Sequence, residues 1–258
     1  MSPLTHQLRA LGLSSGQLVV VHTSFRAVRA GRCEGPLDLI HALIDVLGDG
    51  GTLVMPTMTA GDAPFDPVHT PTLDMGITAE TFRGLPDVLR STHPGASFAA
   101  RGPLARHICA PQPLCPPHGP DSPIGRVWQH KGQVLLIGVG HSANTTLHLA
   151  EALAGVPYWL AHPCVVGTQT RLLPETDHCC EGFHRIDPLV DRLGQRKGPV
   201  GGALARMVSA TSVVDAALEL LDADPFAFVC PPGHPCGECD RARANAHRSP
   251  PVVPVVRV

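Results

Sequence analysis

A histidine and a glutamate stand three residues apart in the stretch HSANTTLHLAE, residues 141 to 151. His148 is predicted to lie in the first turn of a helix, where partial positive charge on the free N–H groups disfavours the imidazolium form. An imidazole that stays neutral near pH 7 is able to act as a base. Glu151 shares a helix face with His148 and either contacts the imidazole or only solvates the helix. The spacing leaves two interpretations open: a catalytic base, or a half-buried structural histidine on a capped helix.

A second group of reactive side chains lies in PETDHCCEGF, residues 174 to 183. If this segment is extended, its side chains alternate, so that Glu175 and Asp177 share one face while His178 and Cys180 share the other. The acidic face would then suit a cationic substrate, and the other face a metal ion. The alternative is a solvated acidic turn.

Cys236 and Cys239 form a C-x-x-C motif, a spacing found in tetrahedral zinc sites. Together with the alternation, it favours a four-ligand site made of His178, Cys180, Cys236 and Cys239. Four protein ligands close the coordination sphere, so such a zinc ion would be structural. Cys179 in place of His178 is the main alternative, and free thiols without a metal are another.

Hydroxyl groups also occur at the ends of two predicted strands. VVVHTSFRAV contains Thr23, Ser24 and Phe25, and RSTHPGASFAARG contains Ser97 and Phe98. Such positions suit phosphate or amide binding, although ordinary strand-to-loop transitions have the same composition. Backbone donors near residues 23 to 25 are candidates for stabilising an oxyanion.

The loop over residues 60 to 76 is rich in Pro, Asp and Gly and is longer than a simple connection requires. It contains Asp62, Asp66 and Asp74, which add to the acidic residues of 174 to 183. Negative charge at the mouth of a cleft would steer a polyamine substrate. Solvated aspartates in surface turns remain the simpler interpretation of these residues alone.

The elements that must position these residues alternate between strands and helices. LVVVH at 18 to 22, an amphipathic helix over PLDLIHALIDVLGDGG and TLVMPTM at 52 to 58 predict a βαβ unit. QVLLIGVG at 133 to 140 is the clearest buried strand, and FAFVC at 226 to 230 is a further candidate strand. Asn144 or Thr145 suits the N-cap of a helix over about 145 to 154, with Gly155 as its C-terminal stop.

These patterns predict a single-domain α/β fold with a mixed, largely parallel sheet flanked by helices. The domain is predicted over residues 1 to 248. Residues 249 to 258 form a Pro/Val-rich tail whose prolines exclude it from a central strand.

Composition narrows the function classes. The chain has 258 residues, a net charge of -2 and no run of Lys or Arg, which argues against a nucleic-acid partner. No window reaches the roughly 18 apolar residues of a membrane helix, and the N-terminus lacks a signal-peptide core, so a soluble cytoplasmic protein is expected. Nine cysteines in a reducing compartment favour metal ligation over disulfides.

Several of these motifs together resemble the aminoglycoside 3-N-acetyltransferase family, most closely its apramycin-acetylating type. The resemblance extends over about residues 5 to 245 and rests on the following segments: HTSFRAV, GDGGTLVMPTM, PFDP, RSTHPGASFAARG, LLIGVGHSANTTLHLAE, ETDHCCEGF and the late CGEC. It implies acetyl-coenzyme A as co-substrate and the antibiotic N-acetyltransferase fold, which is distinct from the common N-acetyltransferase fold. The implied reaction is acetylation of the 3-amino group of the 2-deoxystreptamine ring, which confers antibiotic resistance.

The resemblance also assigns residue roles. His148 matches the general base, and Glu175, or less favourably Glu151, is expected to hold its other ring nitrogen. Asp177 belongs with Glu175 to the acidic pair that binds the aminoglycoside, and Asp62 in the shortened loop before PFDP is expected to join Asp177 and Glu151 in substrate binding. The coenzyme A channel is expected to contain five residues: Thr23, Ser24, Phe25, Ser97 and Phe98.

One feature of the expected mechanism depends on the residues alone. No Ser or Cys is evidently paired with His148, which favours direct transfer without an acetyl-enzyme intermediate. The alternative function is acetylation of another amine, such as a biosynthetic intermediate, at the same site. The oligomeric state is open between a monomer and a homodimer.

Overall fold

The computed structural model describes residues 2–31, 33–176, 178–251, 253 and 258. Its strands are β1 (Leu18–Thr23), β2 (Thr52–Pro56), β3 (Leu89–Arg90), β4 (Phe98–Arg101), β5 (Gln133–Ile137), β6 (Leu160–Val166), β7 (Gln169–Glu175), β8 (Arg196–Val200) and β9 (Ala203–Ser209). Its α-helices are α1 (Pro3–Leu11), α2 (Phe25–Val28), α3 (Pro36–Leu47), α4 (Gly76–Arg83), α5 (Ala105–Ile108), α6 (Pro123–Gln129), α7 (Thr146–Ala154), α8 (Asp187–Arg192), α9 (Ala210–Ala223) and α10 (Gly237–Asn245). Short 3-10 helices cover Arg29–Gly31, His141–Ala143 and Glu181–Ile186.

Seven strands form one mixed sheet in the order β3-β4-β2-β1-β5-β9-β8. Parallel pairing is confined to its centre, where β1 lies between β2 and β5. The outer pairs β2/β4, β3/β4, β5/β9 and β8/β9 are antiparallel. The predicted α/β class with a mixed sheet flanked by helices is therefore confirmed, with the parallel part limited to three strands.

The central strands are apolar on both sides because helices cover both faces of the sheet. Val20 of β1 packs into the layer that contains α6, α7 and α9. Val19 and Val21 of the same strand face the opposite layer, which contains α1 and α3. The apolar run in β1 thus reflects burial between two layers.

Helix α7 begins and ends near the predicted residues. The Asn144 side-chain oxygen accepts a hydrogen bond from the Thr146 backbone N–H at 3.1 Å, so Asn144 provides the N-terminal cap. The Asn144 amide in turn donates to His141 Nδ1 at 3.1 Å, and His141 Nε2 lies 2.9 Å from Gln195 Oε1. Gly155 ends the helix in the left-handed conformation, with φ at 62°. His141, which carried no predicted role, therefore positions the cap.

The strand predicted at 226 to 230 is wrong, because this segment forms turns. Asp224 organises them: its side chain accepts from the Phe226 N–H at 2.9 Å and its backbone carbonyl accepts from the Ala227 N–H at 2.9 Å. Phe228 is fully buried and packs on Phe183 with ring centroids 5.1 Å apart. The side chains of FAFVC are apolar because the turns are buried, and the segment does not pair as a strand.

A separate two-stranded antiparallel hairpin, β6 and β7, carries Glu175 at its end. The backbone of Val258 exchanges hydrogen bonds with that of Gln112 at 2.9 and 3.0 Å, so this last residue lies against the domain. The division into a domain at 1 to 248 and a tail at 249 to 258 stays a prediction. Within the described residues, none of the helices is long and apolar enough to span a bilayer.

Candidate active site

A cavity of about 490 Å³ lies at the carboxyl ends of the three central parallel strands. Its wall includes Val21 to Thr23 at the end of β1, Met55 and Pro56 at the end of β2, and Val139 beyond β5. The entry to α7 and the β6–β7 hairpin complete it with His148, Cys164 and Glu175. This is the position at which open α/β sheets bind ligands.

His148 and Glu151 form a hydrogen-bonded pair in the cavity wall. The His148 Nδ1 atom lies 2.8 Å from Glu151 Oε2, and both side chains are buried. The other oxygen of Glu151, Oε1, is 2.8 Å from His178 Nε2 and accepts a short hydrogen bond from the Tyr158 hydroxyl. The prediction that Glu175 holds the second ring nitrogen is corrected here, since Glu151 occupies that position from one turn along the same helix.

The electrostatics of the pair also differ from the sequence-based expectation. Burial raises the pKa of Glu151, but hydrogen bonds from His148 and His178 outweigh it and bring the pKa to about 2. Burial lowers the pKa of His148, yet Cys180 and the Glu151 carboxylate together hold it well above its usual range. The imidazolium form of His148 is thus more favoured than the helix N-terminus alone predicts, because the Cys180 sulfur and the Glu151 carboxylate lie beside the ring.

Three aromatic side chains pack around the His148 ring. His118 stacks on it with ring centroids 5.3 Å apart, and Phe183 meets it edge-on at 5.0 Å. His178 approaches it at right angles at 6.0 Å. Sequence reasoning missed His118 and Phe183 because neither stands near His148 in the chain.

Cys180 lies beside the other nitrogen of His148. Its sulfur is 3.5 Å from His148 Nε2, and it also lines the cavity. The backbone of Cys180 is left-handed, with φ at 59°, a conformation that is unusual for a residue with a side chain. The expectation that no cysteine pairs with His148 is wrong, and the extended alternation assumed for residues 174 to 183 breaks at this residue.

The carboxylates predicted to bind substrate lie at different places relative to the cavity. Glu175 lies in the cavity wall, whereas Asp177 falls outside the described residues. Asp62 is exposed and does not contribute to the wall, whereas Asp74 of the same loop does. Residues 73 to 75 rather than 61 to 63 approach the strand ends, so the structure does not place Asp62 in the cavity wall, and its role in substrate binding stays a prediction.

The expected coenzyme A residues divide into two groups. Thr23 lines the cavity and also a second depression of about 430 Å³, which contains Ser24 and Phe25 together with Arg26 and Arg29. The two hollows share Thr23, Asp74 and Met75, so they adjoin. The Ser24 N–H already donates to the Ile137 carbonyl at 2.9 Å, which removes it as an oxyanion donor.

Ser97 and Phe98 form the second group, and neither lines these hollows among the described residues. Ser97 is fully buried and its hydroxyl donates to the Thr57 carbonyl at 2.7 Å. Phe98 is fully buried in the core beside the sheet. Their predicted contact with coenzyme A is corrected to a structural role, because the side chains of Ser97, just before β4, and of Phe98, its first residue, are both fully buried.

The cysteine cluster has a different membership from the one predicted. The sulfurs of Cys179, Cys230, Cys236 and Cys239 all lie within 4.8 Å of one another, and Cys179 is 3.4 Å from both Cys230 and Cys239. Tetrahedral zinc with Zn–S bonds of about 2.3 Å places its sulfurs about 3.8 Å apart, so four thiolates here fit that ion.

His178 and Cys180 are not part of this cluster. His178 is bonded to Glu151, and the left-handed backbone at Cys180 directs its sulfur to His148. The predicted ligand set of His178, Cys180, Cys236 and Cys239 is therefore corrected. Cys230 was missed because it stands alone in the sequence; only its place six residues before Cys236 hinted at a wider motif.

Comparisons with known proteins agree with this geometry. The family model described as aminoglycoside 3-N-acetyltransferase matches residues 20–222. Aminoglycoside N(3)-acetyltransferase IV from Salmonella sp is 49% identical over 237 residues, covering 89% of this chain and 90% of the relative.

Solved structures match over similar lengths. Aminoglycoside acetyltransferase AAC(3)-IVa in complex with a gentamicin, crystallised as a histidine-to-alanine variant, is 47% identical with a TM-score of 0.88, covering 94% of this chain and 95% of that one. Its complex with apramycin is 45% identical with a TM-score of 0.84, covering 92% of this chain and 96% of that one. AAC-IIIb in a binary complex with CoASH is 29% identical with a TM-score of 0.74, covering 85% of this chain and 95% of that one. Since the family model and a relative of this identity each extend over most of the sequence, the chain belongs to the aminoglycoside 3-N-acetyltransferase family of acyltransferases.

Proposed function

We propose that this chain transfers the acetyl group of acetyl-coenzyme A directly to the 3-amino group of the 2-deoxystreptamine ring of aminoglycosides. His148 acts as the general base within a ternary complex. The observation that carries the proposal is the buried His148–Glu151 pair, with Nδ1 and Oε2 2.8 Å apart, in the wall of the cavity. An antibiotic-resistance role and a cytoplasmic location accompany the proposal, and a homodimer stays a prediction.

The base works through its second ring nitrogen. Because Glu151 engages Nδ1, Nε2 is the atom that accepts the proton from the attacking amine. The Glu151 carboxylate then stabilises the imidazolium, and the tautomer with hydrogen on Nδ1 is maintained before the reaction. The raised pKa of His148 makes the neutral ring a strong proton acceptor, and a higher pH is needed to deprotonate it.

Negative charge in the cavity supports a polyamine as acceptor. Glu175 lies in the inner wall and Asp74 at the exposed mouth, so both carboxylates face the route that a cationic aminoglycoside would take. The family resemblance adds Asp177 to this group. The complexes of the similar AAC(3)-IVa with a gentamicin and with apramycin support both antibiotics as acceptors.

The adjoining depression supports a phosphate-bearing acetyl donor. Arg26 and Arg29 are exposed at its edge, and its floor continues into the cavity at Thr23. Guanidinium groups there suit the phosphates of coenzyme A, which would place the thioester at the strand ends near His148. The CoASH complex of AAC-IIIb, a more distant relative, supports this choice of donor.

A structural zinc ion completes the proposal. Cys179, Cys230, Cys236 and Cys239 would hold it and leave no open coordination position, so it would supply rigidity rather than reactivity. The ion would connect the segment after β7 to the entry of α10. Because Cys179 adjoins both His178 and Cys180, that connection fixes the residues around His148.

Thiol release from acetyl-coenzyme A, measured with apramycin or gentamicin as acceptor, tests the function. The expected product carries one acetyl group, mapped to the 3-amino nitrogen. Acetylation of a different nitrogen, or no release with either antibiotic while a simple biosynthetic amine is acetylated, would overturn the assigned substrate class.

A further inference from the structure

Three residues from two segments form a chain of contacts that ends in a thiol. Glu151 Oε2 is 2.8 Å from His148 Nδ1, and His148 Nε2 is 3.5 Å from Cys180 Sγ. This thiol–imidazole–carboxylate order is the arrangement that activates cysteine nucleophiles, in which the base is oriented by a third group. The direct transfer proposed above uses Glu151 and His148 and gives Cys180 no role.

The position of Cys180 is more specific than that of an ordinary buried cysteine. It is half-buried, lines the cavity and has a left-handed backbone, with φ at 59° and ψ at 3°. Non-glycine residues in this region of backbone space concentrate at functional sites, where the surrounding structure holds them in place. The conformation directs the sulfur away from the four-cysteine cluster and toward His148.

A second histidine in the same wall packs against the reacting groups. His118 is buried, with 7% of its surface exposed, and its enclosed Nε2 atom has no hydrogen-bond partner among the described residues. It lines the cavity and stacks on His148 with ring centroids 5.3 Å apart. The stacked ring restricts the orientation of the His148 imidazole, whose Nε2 atom lies beside Cys180.

We propose that Cys180, His148 and Glu151 also form a thioesterase triad, which hydrolyses acetyl-coenzyme A slowly when no aminoglycoside occupies the cavity. This inference rests on the proposed function, because acetyl-coenzyme A must bind in the same cavity. When the antibiotic is bound, its amine takes the place beside Nε2 and transfer is direct. When it is absent, Cys180 is the nucleophile beside that atom.

The reaction proceeds in two balanced steps. The thiol proton of Cys180 passes to His148 Nε2 while the sulfur attacks the acetyl carbonyl carbon; the bond to the coenzyme A sulfur breaks, and the leaving thiolate takes the proton from Nε2. Water then attacks the acetyl-Cys180 thioester with His148 as base. The bond between the acetyl carbon and the Cys180 sulfur breaks, the sulfur takes the proton from His148, and acetic acid leaves and ionises in solvent.

Cys109 provides a control thiol outside the cavity. It is half-buried, as Cys180 is, and its sulfur lies 3.4 Å from the Leu89 carbonyl oxygen and 3.6 Å from that of Phe98. Among the described residues, Cys109 lines neither the cavity nor the adjoining depression. A reaction at any accessible thiol would make Cys109 and Cys180 equivalent.

The test measures coenzyme A release without any amine, using the full chain and its Cys180→Ala, Cys180→Ser and Cys109→Ala variants. Acid-quenched samples are examined by intact mass and peptide mapping for a hydroxylamine-sensitive acetyl group. We expect amine-independent release in the parent chain and in Cys109→Ala, its fall to the enzyme-free background in both Cys180 variants, and any adduct on the Cys180 peptide. Zinc content and melting temperature show whether the Cys180 variants are folded, and the serine variant retains the volume of the side chain if the alanine variant is unstable.

Two results would overturn the inference. One is the absence of amine-independent release in the parent chain, and the other is release that persists at the parental rate in folded Cys180→Ser. A parallel assay with apramycin separates the two proposals. If the antibiotic is acetylated while amine-independent release is absent, only the thioesterase is lost; if neither occurs, the proposed transferase function fails as well.

Discussion

Glu151 Oε2 and His148 Nδ1 lie 2.8 Å apart in the interior of the protein, one turn from each other on α7. Oε1 of the same carboxylate is 2.8 Å from His178 Nε2, so Glu151 is held from two sides. This arrangement fixes the orientation of the His148 ring and raises its pKa. The most direct predictions concern these two side chains.

Replacing Glu151 with glutamine should move the acid limb of the pH profile of kcat/KM to lower pH. His148 accepts a proton only when deprotonated, and the carboxylate is one cause of its raised pKa, so loss of the charge lowers that pKa. The maximal rate should fall at least roughly tenfold, because the oriented partner that stabilises the imidazolium is lost. The matched control is Glu219→Gln at an exposed helix position, which should retain the parental profile. An unchanged acid limb in Glu151→Gln would contradict the assigned pairing.

Removing the imidazole in His148→Ala should lower kcat on the order of 10²-fold or more, the usual contribution of a general base. KM for the aminoglycoside should change much less, since the cavity carboxylates bind the cation. His69→Ala, at an 82% exposed side chain, is the control for loss of a histidine elsewhere. Near-normal kcat in His148→Ala would remove it as the base.

Asp74→Asn should raise KM for the aminoglycoside more than KM for acetyl-coenzyme A, because Asp74 lies in the cavity wall. The change should be roughly two- to fivefold, since an exposed charge contributes at most about 1 kcal/mol. Asp62→Asn is the matched variant from the same loop and should leave both constants unchanged. The reverse order of effects would restore Asp62 as the substrate-binding residue.

Arg26→Ala and Arg29→Ala should each raise KM for acetyl-coenzyme A by roughly two- to fivefold, with the effect diminishing at high salt. Both guanidinium groups border the depression that adjoins the cavity. Arg106→Ala, also exposed but far from this depression in the sequence, serves as the charge-matched control. An equal rise in KM for the aminoglycoside would indicate that the depression binds the antibiotic instead.

Protein purified without chelator should contain one zinc ion per chain, measured by elemental analysis. Cys230→Ser and Cys239→Ser should each reduce the zinc content and the melting temperature, because each removes one of four ligands. Cys180→Ser should retain the ion, since that sulfur faces His148. Loss of zinc in Cys180→Ser with full retention in Cys230→Ser would restore the ligand set predicted from sequence.

Local patterns in the sequence were sufficient for features that depend on neighbouring residues. Asn144 as cap and Gly155 as stop specify α7 through hydrogen bonds and a backbone conformation that are available within the segment. The three-residue spacing places Glu151 on the same helix face as His148. Strand β1 is predicted by an apolar run, which indicates burial on both sides of the sheet. Motif resemblance supplied the family and singled out His148.

The tertiary structure decided which groups meet across long separations in the chain. Alternation along an extended backbone predicts Cys180 as a zinc ligand, whereas its left-handed conformation turns the sulfur to His148 and leaves Cys179 to join Cys230. The pKa of His148 is raised, against the expectation from the helix N-terminus, because the folded chain brings the Cys180 thiol to the ring and buries the local His148–Glu151 pair. Contacts of this kind have no periodic signature, since they are set by packing between layers rather than by spacing along one element.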